Sequence, residues 1–324
     1  MRRPAGFGLL IILLGAVEAH SAPLPLTVNR IDGFVIAGSA LADSPLEFLG
    51  GLDVSSRDSD FGGLSGIAVG GGGATAVMVS DSGSFVRARL VHENGRLVGI
   101  DEAEIVSLFP EGATGKRAGD AEDIAFDPAN PERGVIVRER QANALLTFDL
   151  ENGRPTRFAP MRVGADDRVL RSNKGLESVA YGPASSSLAG RILTIAERAP
   201  RGASDIPGWI AGVGAFGIIA RDDFDVSSAR FLPDGDLLLL ERRYTPGWGI
   251  AMRLRRIAGE AVEVGARLYG EVILDAGMTY QIDNMEGLSV HQDDAGRTVL
   301  TIVSDDNFSI LQRTLILQFA LSSD

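Results

Sequence analysis

The sequence contains no cysteine. That one absence excludes disulfides, a thiol nucleophile, thiolate metal ligands and a lipid-anchored N-terminal cysteine. Histidine is scarce as well, at three residues, and His20 falls in an N-terminal leader. His92 stands beside a Glu93-Asn94-Gly95 turn, and His291 is expected at the far end of a strand. Both read as surface residues, which disfavours a Ser-His-Asp triad or histidine-ligated zinc. No Gly-x-Ser-x-Gly elbow occurs, since Gly63-Leu64-Ser65-Gly66 is one residue too short. Gly112-Ala113-Thr114-Gly115-Lys116-Arg117 has a misplaced first glycine, and an arginine where a phosphate-binding loop needs Ser or Thr. Positive charge is in deficit: 31 Lys and Arg against 43 Asp and Glu give a net charge of −12. Such a surface repels nucleic acid and anionic lipid and suits hard cations or cationic partners.

Long apolar runs are missing beyond the start of the chain. Met1-Arg2-Arg3 precedes an apolar run from Phe7 to Val17 and then Ala19-His20-Ser21-Ala22. A basic start, a short apolar core and small residues at a cleavage point are the pattern of a secretory signal peptide. The run is shorter than the ~20 residues that span a bilayer. Residues 1–21 are therefore expected to be removed, leaving 22–324 as one domain in the periplasm or medium. Arg2-Arg3 leaves twin-arginine export open, although Pro4 and Gly6 follow where that signal usually turns apolar. Cutting after Ser21 removes two arginines and one glutamate, which moves the net charge to −13.

What the sequence has in abundance is glycine, 40 of 324 residues, and a repeat. Gly175-Leu176-Glu177-Ser178-Val179-Ala180-Tyr181 recurs as Gly63–Val69, Asp120–Phe126, Asp225–Phe231 and Asn284–Val290. Aligned on the third position the series is Ser65, Glu122, Glu177, Ser227 and Glu286, at intervals of 57, 55, 50 and 59 residues. A period of this size signals a propeller or a solenoid. Each motif ends in a short apolar run and a turn such as Asp127-Pro128-Ala129-Asn130. Further short apolar runs follow, with a fourth expected at Arg157–Val163 in one repeat and Arg267–Leu274 in another. Four antiparallel strands per unit make a propeller blade. The fold class expected is all-β, a single propeller of five blades, or six if Val28–Ala37 seeds another. The last repeat lacks an outer strand, which Leu46–Val54 would supply, so that both termini close the ring.

The start of a first strand and the end of the second share one face of the blade. At the latter place stand Asp81, Glu139, Glu197, Glu241 and Asp305, so three repeats pair acids there: Glu122 with Glu139, Glu177 with Glu197, Glu286 with Asp305. First strands are innermost, so a ring of carboxylates is expected around the central channel. Such a ring needs protons, arginines or cations. Arg140, Arg198 and Arg242 follow the acids, with Arg138 and Arg243 near, and Asp306 and Asn307 add oxygens beside Asp305. All-oxygen donors favour Ca²⁺ or Mg²⁺ over zinc. The metal-ligand candidates are Glu122, Glu177, Glu197, Glu286 and Asp305. The alternative is that each acid caps a turn or pairs with an arginine and serves only to join blades.

Gly175-Leu176-Glu177-Ser178-Val179-Ala180, Ile195-Ala196-Glu197-Arg198, Leu240-Glu241-Arg242, Asn284-Met285-Glu286-Gly287-Leu288-Ser289 and Val303-Ser304-Asp305-Asp306-Asn307 together resemble the phytase-like family, described as having esterase-like activity of phytase. The resemblance spans about Phe61 to Leu321 and implies an exported bacterial β-propeller that hydrolyses phosphate or carboxylate esters. The leading expectation is a metal-assisted hydrolase with Ca²⁺ as cofactor. Its catalytic candidates are Glu177, Glu286, Arg198 and Arg242, the arginines orienting a small anionic ester. Two other readings stay open: a non-catalytic binding propeller, and a lactonase-type propeller hydrolase. The mature chain is expected to be a monomer with neither a membrane span nor a nucleic-acid partner.

Overall fold

A computed structural model describes residues 23–36, 44–108, 120–138, 145–164 and 175–322. The signal peptide expected over 1–21 and the ring candidates Glu139 and Arg140 lie outside them. Short strands separated by glycine- and Asx-rich turns build five antiparallel blades, with two short 3₁₀ turns besides among the described residues.

Two N-terminal strands come first, β1 (Leu26–Ile31) and β2 (Leu46–Ser56). The first blade is β3 (Leu64–Gly70), β4 (Thr75–Ser80), β5 (Ser84–Glu93) and β6 (Arg96–Ser107). The second is β7 (Ala121–Asp127), β8 (Asn130–Arg138), β9 (Leu145–Glu151) and β10 (Arg154–Met161). The third is β11 (Leu176–Tyr181), β12 (Ile192–Ala196), β13 (Asp205–Ile210) and β14 (Gly214–Ile219). The fourth contains β15 (Asp225–Phe231), β16 (Leu237–Thr245) and β17 (Gly249–Ile257). Here the expected outer strand Arg267–Leu274 is divided. Its start, β18 (Arg267–Leu268), pairs in parallel with β14 of the third blade, and β19 (Glu271–Ala276) completes the fourth. Gly270 marks the division; a Cβ there would lie 2.4 Å from the Arg255 side chain.

The fifth blade is β20 (Asn284–Gln292), β21 (Thr298–Asp305) and β22 (Thr314–Leu321), continued outward by β2 and then β1. β2 pairs antiparallel with β22 from Leu46↔Leu321 to Val54↔Thr314. The chain termini therefore close the ring within one sheet. Val28 belongs to β1, a fifth strand of that sheet, and seeds no sixth blade. The propeller has five blades.

Each motif forms the innermost strand of its blade, and each carries a bulge at the same place. Register slips by one between Leu64 and Gly66, Ala121 and Asp123, Leu176 and Ser178, Val226 and Ser228, and Met285 and Gly287. The unpaired residue is the motif's third position every time. A bulge inserts one residue, shifts the side-chain alternation and re-aims the bulged side chain. The second and fifth positions consequently share the core face despite their odd spacing. Leu64, Ala121, Leu176, Val226 and Met285 are buried, as are Ile67, Ile124, Val179, Ala229 and Leu288. Apolar clusters fill the seams between neighbouring blades.

Inner strands approach closely at the fourth position. A Cβ on Gly66 would stand 2.8 Å from the Asp123 Cα, and one on Gly287 would stand 3.0 Å from the Ile67 nitrogen. At this waist an ion pair ties the inner strands together. Arg230 Nη1 and Nη2 donate to Asp123 Oδ2 and Oδ1, both at 2.7 Å. The same guanidinium donates to the carbonyls of Ile67, Ile124, Val179 and Ala229, so it holds four blades at once. Asp123 also accepts from the Val179 and Ile124 amides and the Ser228 hydroxyl.

Candidate functional site

Above the waist the channel opens into a cavity of about 830 Å³, lined by eight carboxylates and two arginines. The acids are Asp81, Asp120, Glu122, Glu177, Glu197, Asp283, Glu286 and Asp305; the arginines are Arg242 and Arg313. All five expected metal-ligand residues are thus brought to one place. Three of them, Glu122, Glu177 and Glu286, are bulge residues, which is why the strand aims them at the axis instead of along its regular alternation. The two serines at the same bulge behave differently. Ser65 Oγ donates to the Ala121 carbonyl and Ser227 Oγ to the Met285 carbonyl at 3.0 Å, in each case the second motif position of the next blade. Glutamate at the bulge makes the site, and serine at the bulge fastens the seam.

Strand register also decides which residues of the second strands join. Residues opposite the motif's first position include Asp305, facing Asn284, and in the fourth blade Arg242, facing Asp225. Arg242 therefore holds the place that Asp81, Glu197 and Asp305 hold elsewhere. Glu241 is one residue earlier, so its side chain lies on the opposite side of the sheet. It is buried against Arg255, whose Nη2 donates to it, and takes no part in the ring expected of it. Arg198 is not brought to the cavity either. Its guanidinium pairs with Asp225, Nη2 donating to Oδ2 at 2.6 Å, beside a separate small cleft with Arg221 and Phe224. Arg243 donates to the Asp222 carbonyl and stacks over Phe224. The arginine candidates thus separate: Arg242 enters the site and Arg198 ties the third blade to the fourth through Asp225.

Arg242 is embedded among the acids. Its Nε lies 3.0 Å from Glu286 Oε2, and its Nη2 lies 3.4 Å from Glu197 Oε1. Burial works against its charge, but Glu286, Glu177 and Glu197 more than offset this and keep it protonated. One arginine does not balance its neighbours. Burial drives Glu177 well above the usual carboxylate range, and repulsion from Glu197, Glu122 and Glu286 drives it further. Glu286 is also raised by burial, with the Arg242 charge and a hydrogen bond from Asn284 Nδ2 at 2.8 Å opposing that push. Asp305 is lifted to about 7 by burial and by Glu286, while the Asn307 amide donating to its Oδ1 at 2.6 Å works the other way. Asp306 turns from the ring: it accepts from the Gly63 and Phe308 amides and the Thr314 hydroxyl, latching the fifth blade to the first.

The donor set is all oxygen and carries surplus negative charge, which suits a hard divalent cation. Among the described residues, no three acids or histidines are already drawn together as an ion cage. Eight acids line the cavity with two arginines, so negative charge is in surplus in its lining. His92 and His291 lie elsewhere, at a small cavity on the seam between the first and fifth blades. Burial and the nearness of His92 lower His291 to about 4.

Two site features escaped the sequence reading although they left a trace in it. Asp120 and Asn284 occupy the first motif position, where glycine stands in two other repeats. Arg230 is the one large residue in a sixth-position column otherwise made of Ala68, Ala125, Ala180 and Ser289.

A family model described as Phytase-like, esterase-like activity of phytase, matches residues 59–308. That span covers every acid lining the cavity. A search of the curated proteins finds no match. Among solved structures, the chain is similar to the β-propeller domain of Cps50 (Swd1) from Myceliophteria thermophila. That likeness is at 8% identity and a TM-score of 0.42, over 92% of this chain and 100% of that one.

Proposed function

The chain belongs to the phytase-like family, described by esterase-like activity of phytase, and from that premise we propose that its acidic cavity hydrolyses phosphate or carboxylate esters. The observation that carries this reading is the concentration of buried carboxylates with raised pKa in an open cavity on the propeller axis. Carboxyls tuned toward neutrality are suited to moving protons near pH 7. Different environments divide the work. Glu286, paired with Arg242 and held by Asn284, is the base that takes the proton of an attacking water. Asp305, titrating at about 7, gives a proton to the departing oxygen. The water oxygen bonds to the acyl carbon or phosphorus, the ester bond breaks, and acid and alcohol leave. Arg242 positions Glu197 and Glu286 and faces any anionic group of the ester.

When a hard divalent cation is bound instead, calcium by donor chemistry, Glu177, Glu286 and Asp305, with Glu122 and Glu197 beside them, would hold it as anions, and it would supply Lewis-acid polarisation of the ester oxygen in place of the proton from Asp305. The N-terminal leader would carry the chain out of the cytoplasm, to work as a monomer in the periplasm or medium. A second reading, a non-catalytic propeller that only binds a ligand in this cavity, draws on the ion pairs already made by Arg242.

The test is hydrolysis of nitrophenyl acyl and phosphate esters by purified protein, with added Ca²⁺ and with chelator. The reading expects activity that falls about a hundredfold or more in Glu286→Gln, and falls on chelation if the cation takes part. Activity unchanged by both treatments removes this mechanism, and tight ligand binding without any turnover favours the binding propeller.

A further inference from the structure

The cavity is not lined by charge alone: Tyr244, Ile250, Met278 and Leu311 also line it, from the fourth and fifth blades and the connection between them. Tyr244, Met278 and Leu311 are 70%, 61% and 88% exposed, large apolar groups left in water at the mouth of a polar site. They come from three separate segments: the end of β16, the connection between β19 and β20, and the turn between β21 and β22. Two of these segments are packed together by design of the backbone. Gly249 has a φ of +86°, and a Cβ on it would meet the Met278 sulfur at 2.7 Å. Only glycine lets the hairpin and the connection approach this closely. Trp248, at the tip of the same hairpin, is exposed as well.

Resting on the hydrolase reading of this cavity, we infer that its substrate is an uncharged carboxylate ester with an apolar acyl chain, which lies on the Tyr244–Met278–Leu311 wall. Two observations converge on this class. An apolar chain removes the exposed wall from water, which favours binding in proportion to the area covered. The acids disfavour a polyphosphate, since a cavity lined by eight carboxylates and two arginines repels dense negative charge. In the reaction, water adds at the acyl carbon and the acyl carbon–oxygen bond breaks. The fatty acid forms, and the alcohol oxygen leaves with the proton that the attacking water gives up.

The experiment compares kcat/KM for nitrophenyl hexanoate, nitrophenyl acetate and phytate, using full-length mature protein and a Tyr244→Ser/Met278→Ser/Leu311→Ser variant. These three side chains are largely exposed, so the variant is expected to fold. The inference expects hexanoate to exceed acetate by about tenfold or more, phytate to be the poorest substrate, and the acyl-chain preference to vanish in the variant. Equal rates on the two acyl esters, or a preference retained in the variant, overturns it. Phytate as the best substrate overturns it too, while leaving the hydrolase reading in place. If no ester is cleaved, the hydrolase reading fails, and calorimetric binding of hexananilide against acetanilide decides the wall: equal affinity overturns the inference there also.

Discussion

Asp123 and Glu177 are both buried carboxylates on innermost strands, one motif position apart, yet they are set in opposite company. Asp123 has a bidentate arginine, two amides and a hydroxyl. Glu177 has three other glutamates acting on it and Arg242 as the offset. Burial raises the pKa of each; at Asp123 the Arg230 charge and its hydrogen bonds counter that rise, and at Glu177 the neighbours reinforce it. A protein that needed acids only to join its blades would repeat the Asp123 arrangement. The contrast teaches where this fold places its stabilising charge and where it tolerates charge that works against it. Strained electrostatics of the second kind gather at functional sites.

The contrast breaks most visibly at the waist. Arg230→Leu leaves the Asp123 carboxylate buried without its cation, a loss on the order of 3–5 kcal/mol. Urea unfolding of the variant measures it, and a loss below about 1 kcal/mol would mean that the ion pair is ornamental. Double replacement with Asp123→Leu should recover much of the loss, because no unpaired charge then remains. A smaller effect sharpens the comparison between bulges. Ser227→Ala removes one seam hydrogen bond and should cost about 1 kcal/mol while leaving ester hydrolysis intact. A comparable change at the bulge in Glu177 should instead act on hydrolysis.

The wheel was legible in the sequence because its determinants are local and repeated. Apolar runs, Gly- and Asx-rich turns and a period near fifty-five residues place every inner strand, and the orphan Leu46–Val54 stretch pointed to the closing strand β2. The division of Arg267–Leu274 between two blades was not legible, since it depends on Gly270 passing over Arg255 in the folded sheet. The ring of acids was legible in outline, as was the place of Arg242 in it, but Glu241 was wrongly assigned to it. Spacing alone does not reveal register, and a shift of one residue moves a side chain to the other side of a strand. The bulge was written in the sequence all along, as core residues three apart, Leu176 and Val179, in a strand whose regular period is two. Arg198 was misjudged for a different reason. Its partner Asp225 belongs to the next blade, a contact that no pattern within one repeat contains.

The central claim is that the ring keeps carboxylates that the folded chain would rather protonate, and Asp305 tests it most directly. Its folded pKa of about 7 lies above the unfolded value of 3.8. Its contribution to stability is therefore fully present below pH 4 and lost as pH rises through 7. His291, lowered to about 4 from 6.5, works in the opposite sense between those values, so the wild type must be read against a variant that keeps His291. Unfolding free energy is to be measured from pH 5 to 8 in chelator for the wild type and for Asp305→Asn. The account predicts that the wild type loses about 2–3 kcal/mol relative to the variant over this range. Parallel curves would contradict it, because Asp305 would then ionise in the folded protein as freely as in the unfolded chain.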